Sequence, residues 1–227
     1  MPNYEFIKSP NFSERNYDIN GIINHFTAGG DIEGTIKWFK NTISYSSAHY
    51  VISRSGRIVQ MVPEDKAAWH SGSKTTTPTL NGMTKLNRWT IGIELCNWGL
   101  IYKEKEDTEF VFKGIKFKRK ANTYYTPYKY WTNEYKLPEN LINIEYKSEY
   151  LKNIPYWPGG DIGYYWEKFP EVQIDAFKAL LKDILTRRPN IKKEFIVRHQ
   201  DVDPTRKIDT GPALDLSKII TEVFSNV

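Results

Sequence analysis

Residues 21–27, GIINHFT, place the tightest constraint on what this chain can fold into. An apolar β-branched pair runs into a polar tip, and Ala28-Gly29-Gly30 then breaks the segment. A short apolar run closed by a breaker reads as a buried strand. Such a strand needs cover, and two stretches supply it. Residues 31–41 (DIEGTIKWFKN) read as a helix, with Asp31 as N-cap and Ile32, Ile36 and Phe39 near one face. Residues 171–187 (EVQIDAFKALLKDILTR) are the clearest helix. Val172, Phe177, Leu180, Leu181, Ile184 and Leu185 form its apolar stripe, and Pro189-Asn190 stops it.

Further strands are expected at 47–53 and 57–62, joined by a Ser55-Gly56 hairpin, and at 90–95 and 194–198. Residues 199–213 read as a polar loop punctuated by Pro204, Gly211 and Pro212, before a closing helix over 214–224. Strands alternating with helices give a single α/β (α+β) domain over 1–227, with a central mixed β-sheet flanked by helices. The chain has 227 residues and is 40% hydrophobic, enough for a real core, so general disorder is excluded. Residues 99–165 differ from the rest and read as an insertion of short strands and loops. They hold eleven of the 15 tyrosines and the basic run KGIKFKRK (113–120). A structureless loop of that length is uncommon in a compact domain. The basic run suits a solvated strand edge protected by lysines. An anion-binding patch is the alternative.

One cysteine, Cys96, excludes an internal disulfide framework and any Cys-rich zinc module. The apolar runs are too short to span a membrane. The first residues, MPNYEFIKSPNFSERN, lack a basic region followed by an apolar stretch, so no secretory signal is expected. With 32 Lys+Arg against 27 Asp+Glu, the net charge of +5 tolerates acidic partners without choosing among them.

The four histidines are His25, His49, His70 and His199. His25 lies near the end of one apolar strand and His199 directly follows another. Strands that end together bring two imidazoles to one sheet edge. Asp209 lies ten residues beyond His199, on a loop held by prolines and glycine. Two His and one carboxylate with an open fourth position is the ligand count of a catalytic zinc site. Strand-capping imidazoles bonded to backbone would share this spacing.

Four blocks decide between these readings: IINHFTAGG (22–30), SSAHYVISRSGRIVQMVPEDKAAWHSG (46–72), IGIELCN (91–97) and RHQDVDPTRKIDTGP (198–212). Their content and order resemble the zinc-dependent N-acetylmuramoyl-L-alanine amidases of the type 2 amidase domain. Bacterial recycling amidases, phage endolysins and peptidoglycan recognition proteins share that fold. The resemblance implies Zn2+ held by His25, His199 and Asp209, a catalytic Glu94, and Lys207 beside the reacting carbonyl. Some members place a catalytic tyrosine just before the histidine matching His49. Here that position is Ala48, which leaves the proton chemistry to Glu94. By strand alternation Glu94 points opposite to Ile93 and Leu95. Trp69, His70, His49, Asn97 and Arg206 resemble or neighbour substrate-side positions and are expected to contact substrate.

The implied activity is zinc-dependent hydrolysis of the amide between N-acetylmuramic acid and L-alanine in peptidoglycan or muropeptides. The alternative is a peptidoglycan-binding module without catalysis, which three filled ligand positions argue against. Nucleic acid is not an expected partner, and a monomer is expected. Without a signal sequence, the implied setting is the cytoplasm, or the cell wall for a phage-type lysin released by other means. The tyrosines of the insertion are expected either to pack a small extra sheet or to wall the groove beside Glu94.

Overall fold

A computed structural model describes residues 2, 4–72, 79–103, 107–112, 115–119, 124–125, 142–143 and 163–225. In chain order the strands are β1 (Tyr4–Phe6), β2 (Phe12–Glu14), β3 (Gly21–Phe26), β4 (Tyr50–Ile52), β5 (Ile58–Gln60), β6 (Lys66–Ala68) and β7 (Thr90–Leu95). They continue with β8 (Leu100–Lys103), β9 (Thr108–Phe112), β10 (Ile115–Arg119), β11 (Tyr124–Tyr125), β12 (Ile142–Asn143), β13 (Gly163–Glu167) and β14 (Ile196–Arg198). The α-helices are α1 (Ile32–Lys40), α2 (Glu171–Arg187), α3 (His199–Val202) and α4 (Leu216–Phe224).

Six strands form the central sheet in the order β1-β5-β4-β7-β3-β14. The β4–β5 hairpin is antiparallel and the other pairings are parallel, so the sheet is mixed. Gly56 closes the hairpin at φ +83°, a left-handed conformation that glycine adopts without the steric cost of a Cβ.

Strand alternation sorts the side chains onto two faces. Ile22, Phe26, Tyr50, Ile52, Ile91, Ile93 and Leu95 pack with Phe177, Leu180, Leu181 and Ile184 of α2 and with Ile219 and Val223 of α4. Burying a side chain of this size stabilises the fold by roughly 1.5–3 kcal/mol. On the opposite face, Ile32, Ile36 and Phe39 of α1 pack with Val51, Val59 and Cys96. That helix starts where expected, with the Asp31 carboxylate accepting from Gly34 N at 2.5 Å. The residues left on this second face of β3 and β7 include His25 and Glu94, and they form the floor of the site.

The structure departs from the sequence expectations in several places, and the strands expected at 47–53 and 57–62 shorten to β4 and β5. Val172 is 51% exposed rather than part of the α2 stripe, because at about 100° per residue it points away from the face shared by Phe177, Leu180, Leu181 and Ile184. Its neighbour Gln173 is buried instead, donating to the carbonyls of Ile52 and Cys96 at 3.0 and 3.1 Å. The 199–213 segment opens with α3 instead of being loop throughout. Strand 194–198 shortens to β14, with a 3-10 turn over Lys193–Phe195 before it.

Within 99–165, β8 and β11–β13 form a four-stranded sheet in the order β11-β8-β13-β12, and β9 and β10 form an antiparallel pair. Residues 115–119 of the basic run lie on β10. The readings for its basic side chains and for the tyrosine rings lie outside the described side chains. The junction with the core is fastened by Glu167, wholly buried at the end of β13. Its carboxylate accepts from Arg54 Nε and Nη2 at 2.5 and 2.6 Å and from Trp98 N at 2.5 Å. Among the described residues, no helix is long and apolar enough to cross a membrane.

Candidate metal centre and active site

Three elements meet at the C-terminal edge of the central sheet. His25 is the fifth residue of β3, in register with Glu94 of β7. His199 opens α3 immediately after β14, which pairs parallel with β3 through Arg198 and Asn24. Asp209 comes from the following loop. Gln200 ties that loop back: its N–H donates to Asp209 O at 2.8 Å, and its side-chain oxygen accepts from Gly211 N at 2.9 Å.

The result is a triangle of lone-pair donors. His25 Nδ1 and His199 Nδ1 are 2.9 Å apart, and Asp209 Oδ2 lies 2.9 Å from the first and 3.0 Å from the second. All three residues are buried. Tetrahedral zinc with Zn–N bonds of 2.0–2.1 Å sets its ligand atoms about 3.3 Å apart. This triangle needs to open by only a few tenths of an ångström. The group can hold a metal ion, and its two-nitrogen, one-oxygen donor set suits zinc.

The protonation states agree with that role. Burial, reinforced by the neighbouring His199, lowers His25 to about 4, so its imidazole is neutral. Asp209 is held well below the usual carboxylate range: although burial opposes ionisation, the two histidines outweigh it. The far nitrogens are also engaged. His199 Nε2 donates to Ser71 O at 3.0 Å, which leaves Nδ1 bare toward the cluster. His25 Nε2 lies 3.1 Å from His70 Nδ1.

A cavity of about 690 Å³ opens over this triangle, lined in part by Thr27, Trp38, Trp69, Glu94, Arg206 and Lys207. Glu94 is partly buried, and its Oε2 has no hydrogen-bond partner among the described residues. Burial, with Asp209 nearby, pushes its carboxyl up to about 8, and the charge of Lys207 partly offsets this. A carboxyl shifted in this direction suits general acid–base work near neutral pH.

Of the residues expected on the substrate side, the structure brings Trp69, His70 and Arg206 to the cavity. Trp69 Nε1 donates to Ser13 Oγ at 2.8 Å. Arg206 Nε donates to Asp203 at 2.7 Å, and its Nη2 donates to Ser71 O at 3.2 Å. His70 also stands directly behind His25.

His49 and Asn97 lie elsewhere, both with no exposed surface and neither on the cavity wall. His49 Nδ1 accepts from Gly92 N at 2.9 Å, and Nε2 lies 3.1 Å from Lys66 O. Asn97 holds the turn after β7: its Oδ1 accepts from Gly99 N at 2.6 Å, and its Nδ2 donates to Glu167 O at 3.3 Å. Sequence reasoning passed over Ser71, whose carbonyl meets His199, and Asn87 and Thr90, which bond His70 and Ser71. Polar residues of these types are common in loops, and only three-dimensional proximity singles them out.

Residues 15–212 match the family model described as N-acetylmuramoyl-L-alanine amidase. The chain belongs to this family. N-acetylmuramoyl-L-alanine amidase A of Achromobacter lyticus is 38% identical over 87 residues, 38% of this chain and 42% of that protein. The amidase AmiD of Escherichia coli K12 is 28% identical over 201 residues, 86% of this chain and 49% of that protein. The chain thus spans about half the length of these curated relatives. Its fold is similar to the crystal structure of a selenomethionine derivative of AmpD, with a TM-score of 0.58 at 18% identity. That match covers 98% of this chain and 95% of the other. The structure of Escherichia coli AmiD in complex with anhydro-N-acetylmuramic acid-L-Ala-D-gamma-Glu-L-Lys is also similar, with a TM-score of 0.56 at 23% identity. It covers 93% of this chain and 65% of that one. The blocks that suggested the family all lie within the matched residues.

Proposed function

We propose that this chain hydrolyses the amide bond between N-acetylmuramic acid and L-alanine in peptidoglycan or muropeptides, with zinc held by His25, His199 and Asp209. The observation that carries the reading is the convergence of three ligand atoms within 3.0 Å of one another, under a cavity that also holds Glu94 and Lys207. Family membership supports the same reaction.

When bound, zinc supplies the Lewis acidity that makes water a nucleophile near neutral pH. The chain's own groups do the rest. Glu94 takes the proton of the attacking water on its unpartnered Oε2, then gives it to the departing alanine nitrogen. The ammonium of Lys207 faces the carbonyl oxygen as negative charge develops there. Trp69 and Trp38 wall the cavity with flat apolar surface for sugar or peptide. Arg206, braced by Asp203, offers a guanidinium to a stem-peptide carboxylate.

The test is incubation of the zinc-loaded protein with purified peptidoglycan and, separately, with soluble muropeptide, followed by quantification of new L-alanine amino termini. Release from either substrate supports the reading, and the ratio of turnovers identifies the preferred one. No release from both sinks it.

A further inference from the structure

We propose that His70 is a positioning residue of the metal centre, and that the segment His70-Ser71, clamped by Asn87, orients both metal-facing imidazoles. The inference rests on the zinc reading of His25, His199 and Asp209.

The hydrogen bonds around His70 run in one direction only. The Thr90 hydroxyl donates to Leu86 O at 2.6 Å, so its oxygen is left to accept. His70 Nε2 lies 3.2 Å from that oxygen and must carry the proton. His70 Nδ1 is then bare and accepts from His25 Nε2 at 3.1 Å. That bond leaves His25 Nδ1 without a proton, facing Asp209 and His199. The chain Leu86–Thr90–His70–His25 therefore sets both the tautomer and the ring plane of a metal-facing histidine.

The next residue does the same for the other ligand. Ser71 O accepts from His199 Nε2 at 3.0 Å. Two neighbouring positions of one short segment thus stand behind both imidazoles. Asn87 makes three bonds to that segment: its Oδ1 accepts from His70 N, Ser71 N and Ser71 Oγ at 3.1, 2.8 and 2.8 Å. Room for the His70 ring comes from Gly92 of β7, where an added Cβ would stand 2.5 Å from His70 Cγ. The glycine in IGIEL is thus explained by the imidazole that lies over it.

The experiment measures zinc affinity by competition with a chelator, and the visible spectrum of the Co(II)-substituted protein. It compares wild type, His70→Leu, His70→Asn and Asn87→Ala. Loss of a supporting partner of this kind lowers metal affinity about 10- to 100-fold, which is the result expected for His70→Leu, with displaced Co(II) bands. In His70→Asn the side-chain oxygen stands near the former Nδ1, so affinity should recover most of that roughly 10- to 100-fold loss. Wild-type affinity and spectrum in His70→Leu would overturn the proposal. So would His70→Asn as weak as His70→Leu, because ring volume and not the acceptor would then matter. Should His70→Leu fail to fold, Asn87→Ala decides, since unchanged zinc affinity there removes the clamp. A wild-type chain that binds no zinc refutes the zinc reading itself, a result distinct from any of these.

Discussion

His25 and Glu94 are register partners on neighbouring parallel strands, β3 and β7. Parallel pairing in register puts both side chains on the same face and at the same edge of the sheet. The imidazole of the proposed metal centre and the carboxylate proposed to move protons are therefore adjacent by construction, with no loop needed to bring them together. The apolar residues that alternate with them, Ile22, Phe26, Ile93 and Leu95, anchor the other face against α2 and α4.

Glu94→Gln keeps the size of the side chain and removes its ability to take a proton. We expect zinc content and fold to be retained and turnover to fall by about 10²- to 10⁴-fold. Metal analysis alongside kcat on muropeptide checks this. Turnover near wild type would assign the proton transfer to another group.

His199→Ala removes one corner of the ligand triangle. Wild-type protein in zinc at 100 times its Kd should gain about 2.7 kcal/mol of stability, seen as a rise in Tm. The variant should show no zinc-dependent rise. An equal rise in both would place the metal elsewhere.

Lys207→Ala should leave zinc affinity within a small factor and act on the chemical step. A well-placed donor to a developing oxyanion contributes about 2.7–4 kcal/mol, or 10²- to 10³-fold in kcat. A change confined to KM would instead make Lys207 a substrate-binding group.

His49 should make the metal-free protein acid-sensitive. Burial, with Arg15 nearby, lowers its pKa to about 3, against 6.5 for an unperturbed imidazole. Between those values the unfolded chain binds a proton that the folded chain refuses. Stability therefore falls as pH drops through this window, by up to about 1.4 kcal/mol per pH unit. Glu94 acts in the opposite sense. Its pKa is raised to about 8, so the stability it contributes is full below 4.5 and lost as pH rises through 8. Comparing wild type with His49→Asn by urea denaturation at pH 7.5, 6.0 and 4.5 isolates the histidine. The wild type should lose more stability on acidification, and parallel losses would exclude His49 as the source.

Much of the fold was legible because the periodic segments are long or strongly apolar. The α2 stripe from Phe177 to Leu185, the α1 face of Ile32, Ile36 and Phe39, and the β3 and β7 runs all bury the residues expected of them. The errors have local causes. Val172 has the right residue type for the α2 stripe, but its angular position turns it off the buried face, which Gln173 occupies in that turn. Strands β1 and β2, three residues each, carry too little pattern to be read, and pairing with β5 and β6 defines them.

The sequence alone determined the family, the sheet flanked by helices, and the residues able to bind a metal, because those properties reside in residue type, order and hydrophobic period. It also placed Glu94 opposite Ile93 and Leu95, since alternation along a strand is a local rule. It could not separate His70 from His49. Both are histidines of one motif block, yet one stands 3.1 Å from the His25 imidazole and the other lies wholly buried between Gly92 and Lys66. Only tertiary structure decided that difference. A side chain's role depends on which groups from distant segments reach its ring nitrogens, and no local pattern encodes those meetings.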